Sequence, residues 1–132
     1  MKNNVLEEMI RFQTDRGLDK QEFNLKKCVI NILSEIYEIY GFTGKSGEAK
    51  AEELFENEFY KYLNPTEDKI ILDSLFDISE FSLGDIMKLG YNPIIICDEG
   101  AKHINSGTGE IIDGKFQKKE RDYEPNYDRA KL

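Results

Sequence analysis

The sequence has few cysteines and no long apolar run, and both shortages limit the class of protein it can be. Only Cys28 and Cys97 are cysteines among 132 residues, and neither has a second Cys or a His at metal-binding spacing. Both lie among apolar residues, which predicts reduced thiols in the core. No apolar run approaches the roughly 20 residues that crossing a bilayer requires, and the opening MKNNVLEEM lacks a signal-peptide pattern. We therefore expect one cytoplasmic domain with no membrane partner.

The chain is also poor in positive charge. It has 18 Lys and Arg residues and 26 Asp and Glu residues, which gives a net charge of -8. Proteins that hold nucleic acid by its phosphates need a basic surface, so this balance argues against nucleic acid as a partner. A small polyanion could still bind if metal ions neutralise its charge.

Apolar residues recur at helical spacing through most of the chain. Helices are predicted over residues 4–16, 24–40, 49–63 and 66–90, with Asn24 and Thr66 as N-caps and glycines ending three of the four. The stretch GFTGKSGEAK is interpreted as a glycine-rich loop. A last helix is expected from Pro93 to about His103, with a strand over NPIIIC as the alternative.

These elements predict an all-α fold, an antiparallel helical bundle of four to five helices with an irregular C-terminal tail. The bundle is expected to form one domain over residues 1–105. The tail, residues 106–132, is polar and contains four Gly or Pro residues. We expect it to be packed on the domain or partly disordered.

Three carboxylates lie in one of the most apolar stretches of the chain, DSLFDISEF, which begins at Asp73. On a helical wheel Asp73, Asp77 and Glu80 share one side of the long helix, and Phe76 and Phe81 border it. A helix that is apolar nearly all round is usually buried. We therefore expect the acids to lie in an apolar groove, where an unpaired carboxylate needs a cation or strong hydrogen-bond donors.

The second helix supplies a matching pair of acids. Glu35 and Glu38 are three residues apart, so they share a helix face. If the second and the long helix pack antiparallel, these two carboxylates can converge with Asp73 and Asp77. Such an oxygen-rich site suits Mg²⁺ or Mn²⁺. The residues alone leave two alternatives open, a solvated acidic face and a carboxylate–lysine network.

At these residues the sequence resembles a known family. SEIYE, followed by DSLFD in the long helix, is similar to the E-E-x-x-E and E-x-x-D motifs of the MazG-like all-α nucleotide pyrophosphohydrolases. That superfamily includes phosphoribosyl-ATP pyrophosphohydrolase and the dimeric dUTPases. MIRFQTDRGLD resembles its first helix and turn, FSLGDIMKLGYNP the end of its third core helix, and HINSGTGEIIDGKFQKKERDYEPNYD the tail of phage-type members. Ser34 and Ser74 depart from the pattern, because each stands where the family has Glu.

The resemblance implies hydrolysis of a nucleoside triphosphate to a monophosphate and pyrophosphate. It implies Mg²⁺ as cofactor, with Mn²⁺ as a substitute, held by Glu35, Glu38, Asp73 and Asp77. Glu35 or Glu38 is the expected general base. The alternative is a degenerate member, a non-catalytic nucleotide-binding or protein-interaction module of phage or mobile-element origin.

Substrate contacts are predicted at a second set of residues: Lys27, Asn31, Lys88, Asn105 and Lys115. The lysines would meet the phosphates, and the resemblance implies a sugar or base contact for Asn105 if the tail folds over the nucleotide. His103, the single histidine, is expected to serve as a donor near the end of the last helix rather than in catalysis.

An oligomer is also predicted. A chain of 132 residues with an apolar groove of this kind would expose the walls of the groove unless a second subunit covered them. We therefore expect a homodimer or a homotetramer.

Overall fold

The computed structural model describes residues 4–62, 67–120 and 122–132, and the chain divides into two compact units. The central unit consists of residues 22–71, and the terminal unit of residues 1–21 and 72–132. The described residues form five α-helices and one two-stranded antiparallel sheet, so the chain is mostly helical, as predicted. No helix in these ranges is both long and apolar enough to cross a membrane.

The five helices precede the two strands along the chain. The helices are α1 (Val5–Asp15), α2 (Leu25–Ile39), α3 (Lys45–Leu54), α4 (Asp68–Lys88) and α5 (Pro93–Asn105), and the strands are β1 (Gly109–Ile112) and β2 (Lys115–Lys118). Helix α5 shows that the strand alternative for NPIIIC is wrong. The predicted N-cap Thr66 lies outside the described residues.

The central unit is built on the contact between α2 and α3. Asn24 caps α2, since its side chain accepts a hydrogen bond from Lys27 N at 2.9 Å. Gly47, Ala51 and Phe55 are buried on the α3 side of the contact. The loop predicted over residues 41–50 is wrong from Lys45 onward, where α3 begins. The small side chains on this face let α3 approach α2 closely, and this packing stabilises the helix.

The helical segment after α3 changes its winding twice. Leu54 ends the α-helix, a π-helical turn covers Phe55–Phe59, and a 3₁₀ turn covers Tyr60–Tyr62. The predicted helix over residues 49–63 is therefore present as a helical segment, but not as one regular α-helix. Leu63 lies outside the described residues.

The terminal unit joins the two ends of the sequence, because α1 packs against α5. A capping box starts α1, in which Glu7 N donates to Asn4 Oδ1 at 2.8 Å and Asn4 N donates to Glu7 Oε2 at 3.2 Å. Asn92 caps α5 by accepting from Ile94 N at 2.9 Å, and Pro93 occupies the first helical position.

The C-terminal tail is more regular than the sequence predicted. Strands β1 and β2 form a hairpin in which Ile112 pairs with Lys115 across a two-residue turn. Asp113 and Gly114 both have positive φ, 52° and 78°, as a tight hairpin turn of this kind requires. The predicted irregular structure is therefore wrong for residues 109–118.

Residues after the hairpin lie against α5 and the loop before it. Asn92 N donates to Ala130 O at 2.8 Å, and Leu132 N donates to Gly90 O at 3.0 Å. Ala130 is buried. The chain end is thus attached to the terminal unit by its backbone as well as by side chains.

Candidate functional site

Helix α2 carries Glu35 and Glu38 on its solvent side and Ser34 on its packed side. Both glutamates and Asn31 are exposed, whereas Ser34 is 7% exposed and its Oγ donates to Asn31 O at 2.9 Å. Ser34 lies at the contact of α2 with α3, since its carbonyl oxygen approaches Gly47. The position where the resembled family has its first Glu is therefore part of the core of the central unit.

Helix α4 exposes both its acids and its apolar residues. Asp73 and Asp77 lie four residues apart, so they share a helix face, and both are exposed, as is Glu80. Phe76 is 62% exposed and Phe81 is 71% exposed, and none of the 21 residues of α4 is buried. The prediction that this helix is buried is wrong for a single chain.

The four predicted metal ligands belong to different units. Glu35 and Glu38 lie in the central unit, and Asp73 and Asp77 lie in the terminal unit. Among residues 4–62, 67–120 and 122–132, no group of three or more His, Cys, Asp and Glu side chains is positioned to hold a metal ion. The convergence of the four carboxylates stays a prediction.

The predicted phosphate-binding lysines occupy three separate elements. Lys27 is exposed in the first turn of α2. Lys88 lies in the last turn of α4, with its Nζ 3.5 Å from Asp85 Oδ1, and Lys115 is half-buried at the start of β2. Their meeting at one triphosphate also stays a prediction.

Helix α5 contains a buried carboxylate that the sequence did not predict. Glu99 is fully buried, and it accepts hydrogen bonds from Tyr123 Oη at 2.7 and 2.9 Å and from Asn126 N at 2.6 Å. Arg129 Nη2 lies 3.1 Å from Glu99 Oε2, and Lys102 Nζ lies 3.5 Å from the same oxygen. Every one of these partners favours the ionised form of the carboxyl group.

The electrostatics of this cluster follow from its hydrogen bonds. The bonds from the Tyr123 hydroxyl, the Asn126 backbone and Arg129 lower the pKa of Glu99 to about 2, although burial opposes the shift. The bond to Glu99 and burial raise the pKa of Tyr123. A carboxylate held in this way is a poor general base, because a group with so low a pKa has little tendency to take up a proton near neutral pH. We interpret Glu99 as the anchor of the C-terminal segment.

His103 lies in the last turn of α5, as predicted. Like Glu99, it binds the C-terminal segment to α5. Its Nδ1 is 2.8 Å from Tyr123 O, so Nδ1–H is the donor because a carbonyl oxygen only accepts. Lys118 Nζ donates to His103 O. Strand β2 and the C-terminal segment are thus both bound to the end of α5.

Asn105 lines a pocket of the terminal unit with a volume of about 370 Å³. Its Nδ2 donates to Glu8 O and to Ala101 O, each at 2.9 Å. The pocket is lined by the end of α1, the end of α5 and the start of the hairpin: Arg11, Asp15, Arg16, Asn105, Thr108 and Phe116. The sequence prediction for Asn105 as a ligand contact is compatible with this position.

The two cysteines are free and half-buried. Burial raises the pKa of the Cys28 and Cys97 thiols, which favours their protonated form at neutral pH. The free thiols agree with the predicted reduced state, but half-burial places neither cysteine fully in the core as predicted.

Neither models of known protein families, nor curated proteins, nor solved structures give a match to this chain. The likeness of its acidic motifs to the MazG-like pyrophosphohydrolases therefore stays a resemblance in sequence. The carboxylates of α2 and α4 and the exposed apolar side chains beside those of α4 are the features of the chain that bear most directly on its function.

Proposed function

We propose that this protein is a metal-dependent hydrolase that cleaves a nucleoside triphosphate, or a related nucleotide, to a monophosphate and pyrophosphate. The observation that carries the proposal is the surface of α4, where Asp73 and Asp77 share a face amid exposed apolar side chains. Glu35 and Glu38, exposed one turn apart on α2, supply the second pair of carboxylates. The sequence resemblance connects both pairs to one chemistry.

The donor set fits Mg²⁺, with Mn²⁺ as a substitute, because all four side chains offer hard oxygen ligands and none offers sulfur or nitrogen. Glu35, Glu38, Asp73 and Asp77 are the residues that would hold it. When bound, such an ion neutralises phosphate charge and lowers the pKa of an attacking water.

The chain's own residues would perform the remaining steps. Glu35 or Glu38 takes the proton of the water that attacks the α-phosphorus, and the bond from that phosphorus to the bridging oxygen breaks to release pyrophosphate. Lys27, Lys88 and Lys115 are the proposed phosphate contacts. Asn31 and Asn105 are the proposed contacts of the remaining substrate.

A homodimer or homotetramer is part of the proposal. A helix with two phenylalanines five residues apart, each more than 60% exposed, is unusual in a monomeric protein, and contact with a second subunit would remove that surface from water. The same contact would enclose the acids of α4 between apolar walls, where carboxylates bind cations more strongly.

A second candidate is a helical module that binds a nucleotide or another protein without turnover. Ser34 favours it, because this residue is buried and its hydroxyl bonds to its own helix, so it cannot replace the acid that the resembled family has there. Ser74 stands at the second position where the resembled family has Glu, and it is exposed on α4.

Pyrophosphate release from a panel of canonical and modified nucleoside triphosphates, with Mg²⁺ or Mn²⁺, separates the two candidates. We expect Glu38→Gln to lower turnover by at least about 100-fold, the usual effect of removing a general base. Asp77→Asn should lower turnover as well, because it removes a charged ligand of the metal ion. Matched controls are Glu53→Gln on α3 and Asp68→Asn on α4, which remove an exposed charge outside the site. No release from any nucleotide with either metal would overturn the hydrolase and leave the binding module.

A further inference from the structure

The joint between α4 and α5 is short, and the hydrogen bonds on each side of it are local. On the α4 side Tyr91 N donates to Ile86 O at 3.2 Å and Gly90 has a φ of 96°, as in a Schellman helix end. On the α5 side Asn92 O accepts from Ile96 N at 3.0 Å. These bonds close each helix end without connecting the two helices, so the backbone torsions between Tyr91 and Asn92 set the angle between α4 and α5.

The last three residues of the sequence bridge this joint. Leu132 N donates to Gly90 O at 3.0 Å on the α4 side, and Asn92 N donates to Ala130 O at 2.8 Å on the α5 side. The residues between them pair as an antiparallel bridge. Because the two bonds lie on opposite sides of the joint, a rotation there would break at least one of them.

The same C-terminal segment is anchored on α5. Its 3₁₀ turn, Tyr127–Ala130, packs against that helix, and Ala130 is buried. Arg129 Nη2 lies 2.5 Å from Asp98 Oδ2 and 3.1 Å from an oxygen of the buried Glu99. Helix α5 therefore gives the bonds at the joint a fixed base.

Helix α4 has little other support in the terminal unit. None of its residues is buried, and the described elements that pack closely on α5 are α1 and the 3₁₀ turn rather than α4. Asp73 and Asp77 lie 17 and 13 residues before Gly90. At 1.5 Å per residue they are about 25 and 20 Å from the joint, so a rotation of about 20° would move them by roughly 7–9 Å.

We propose that residues 126–132 form a clamp that fixes the angle between α4 and α5, and that detachment of the clamp frees α4 to turn about Tyr91 and Asn92. The clamp thereby controls where α4 presents its carboxylates and its exposed apolar side chains. The proposal does not depend on the proposed hydrolase activity, because it rests on bonds within one chain.

Two spin labels measure the angle directly. One is attached at Ser74→Cys on α4 and the other at Gln13→Cys on α1, which packs on α5, in a full-length chain that carries Cys28→Ser and Cys97→Ser. Double electron–electron resonance, with the labelled chain diluted in unlabelled chains, gives the distance distribution within one chain. We expect one narrow distribution in this parent chain. Detachment of the clamp should shift or broaden it by at least about 5 Å, since a rotation of about 20° moves residue 74 by about 8 Å.

Two variants of the clamp complete the test. Ala130→Asp should detach the clamp, because it places a charge in a buried position. Lys131→Ala is the matched control, since it removes an exposed side chain from the same segment and keeps the backbone bonds. We expect the control to match the parent chain. A second label pair, at Gln13→Cys and Ile94→Cys, reports on α1 and α5 alone and should be unchanged in both variants.

A change in the second label pair would show that Ala130→Asp unfolds the terminal unit. A chain that ends at Ala130 then replaces this variant, because it loses the bond to Gly90 O and the bridge but keeps the anchor on α5. Two outcomes overturn the proposal. One is an unchanged distance from Ser74 to Gln13 in a variant that keeps the second pair intact, and the other is a broad distribution in the parent chain.

Discussion

The hydroxyl of Tyr123 donates to both carboxylate oxygens of Glu99, at 2.7 and 2.9 Å, and joins residues 24 positions apart in the sequence. The carboxylate is fully buried and the tyrosine half-buried. A single pair thus connects the core of α5 to the segment that follows the hairpin.

Tyr123→Phe is expected to destabilise the terminal unit, because it removes a charge-assisted hydrogen bond and leaves Glu99 buried with one donor fewer. The midpoint of thermal unfolding, followed by circular dichroism, should fall by several degrees. Tyr127→Phe, an equal change at an exposed tyrosine, should leave it nearly unchanged. Equal midpoints for the two variants would contradict the anchoring role of Glu99.

Acid should remove the contribution of Glu99 to stability. The pKa of Glu99 is about 2 in the folded chain against an ordinary value of 4.5, so the unfolded chain takes up the proton first as the pH falls. The stabilisation is therefore complete above about pH 4.5 and is lost as the pH falls towards about 2.

Urea unfolding of the wild-type chain and of Glu99→Gln across this pH range measures the effect. We expect the variant to be less stable at neutral pH and the gap between the two free energies of unfolding to narrow below about pH 4.5. The other carboxylates titrate in both proteins, so the difference reports on Glu99. A gap that stays constant down to pH 2 would show that the carboxylate charge does not stabilise the fold.

Gly47→Ala should destabilise the central unit. A Cβ atom at this position would lie 2.3 Å from Phe42 O, and a backbone atom cannot move aside as the end of a side chain can. Overpacking of this kind costs roughly 1–3 kcal/mol. Denaturant unfolding of the variant measures the loss.

Gly100→Ala is the control for this prediction. Gly100 lies inside α5, and apart from its chain neighbours and the backbone of its own helix no described atom lies within 4 Å of an added Cβ. The same substitution should stabilise that helix by about 0.5–1 kcal/mol, because alanine has the higher helix propensity. Equal effects of the two variants would show that the close approach of α3 to Phe42 is absent.

Replacing the exposed phenylalanines of α4 should dissociate the proposed oligomer. Burial of a phenylalanine stabilises an interface by roughly 1.5–3 kcal/mol, so Phe76→Ser combined with Phe81→Ser should weaken association at least about 100-fold. Sedimentation velocity at micromolar concentration checks the mass. A wild-type chain that sediments as a monomer would contradict the proposed dimer and tetramer alike.

Local sequence rules predicted the helices well. Asn24, Pro93 and the glycines after the helices act on helix ends within a few residues, so such signals are visible in the sequence itself. The hairpin was also locally encoded, since the Asp113-Gly114 dipeptide between two apolar–polar runs is typical of a tight turn. The prediction of an irregular tail rested on its overall polarity and did not use this dipeptide.

Contacts between distant residues were not predictable in the same way. Glu99 looked like an ordinary acid in a helix, because its partners Tyr123, Asn126 and Arg129 follow more than 20 residues later. Ser34 likewise has no pattern that reveals its burial, which depends on α3. For the acids of α2 and α4, helical spacing predicted which side chains share a face, but spacing carries no information on how separate units approach each other.

The terminal unit is made of two stretches of sequence that flank the central one, and this arrangement has a consequence during synthesis on the ribosome. Residues 22–71 can complete their own contacts as soon as they leave the exit tunnel. Helix α1, translated before α5, can pack against α5 and accept the hydrogen bond from Asn105 Nδ2 only after α5 has emerged. In the nascent chain, contacts within residues 22–71 can therefore form before α1 packs against α5. Helix α1 waits longest for its tertiary contacts and is the segment most available to a chaperone.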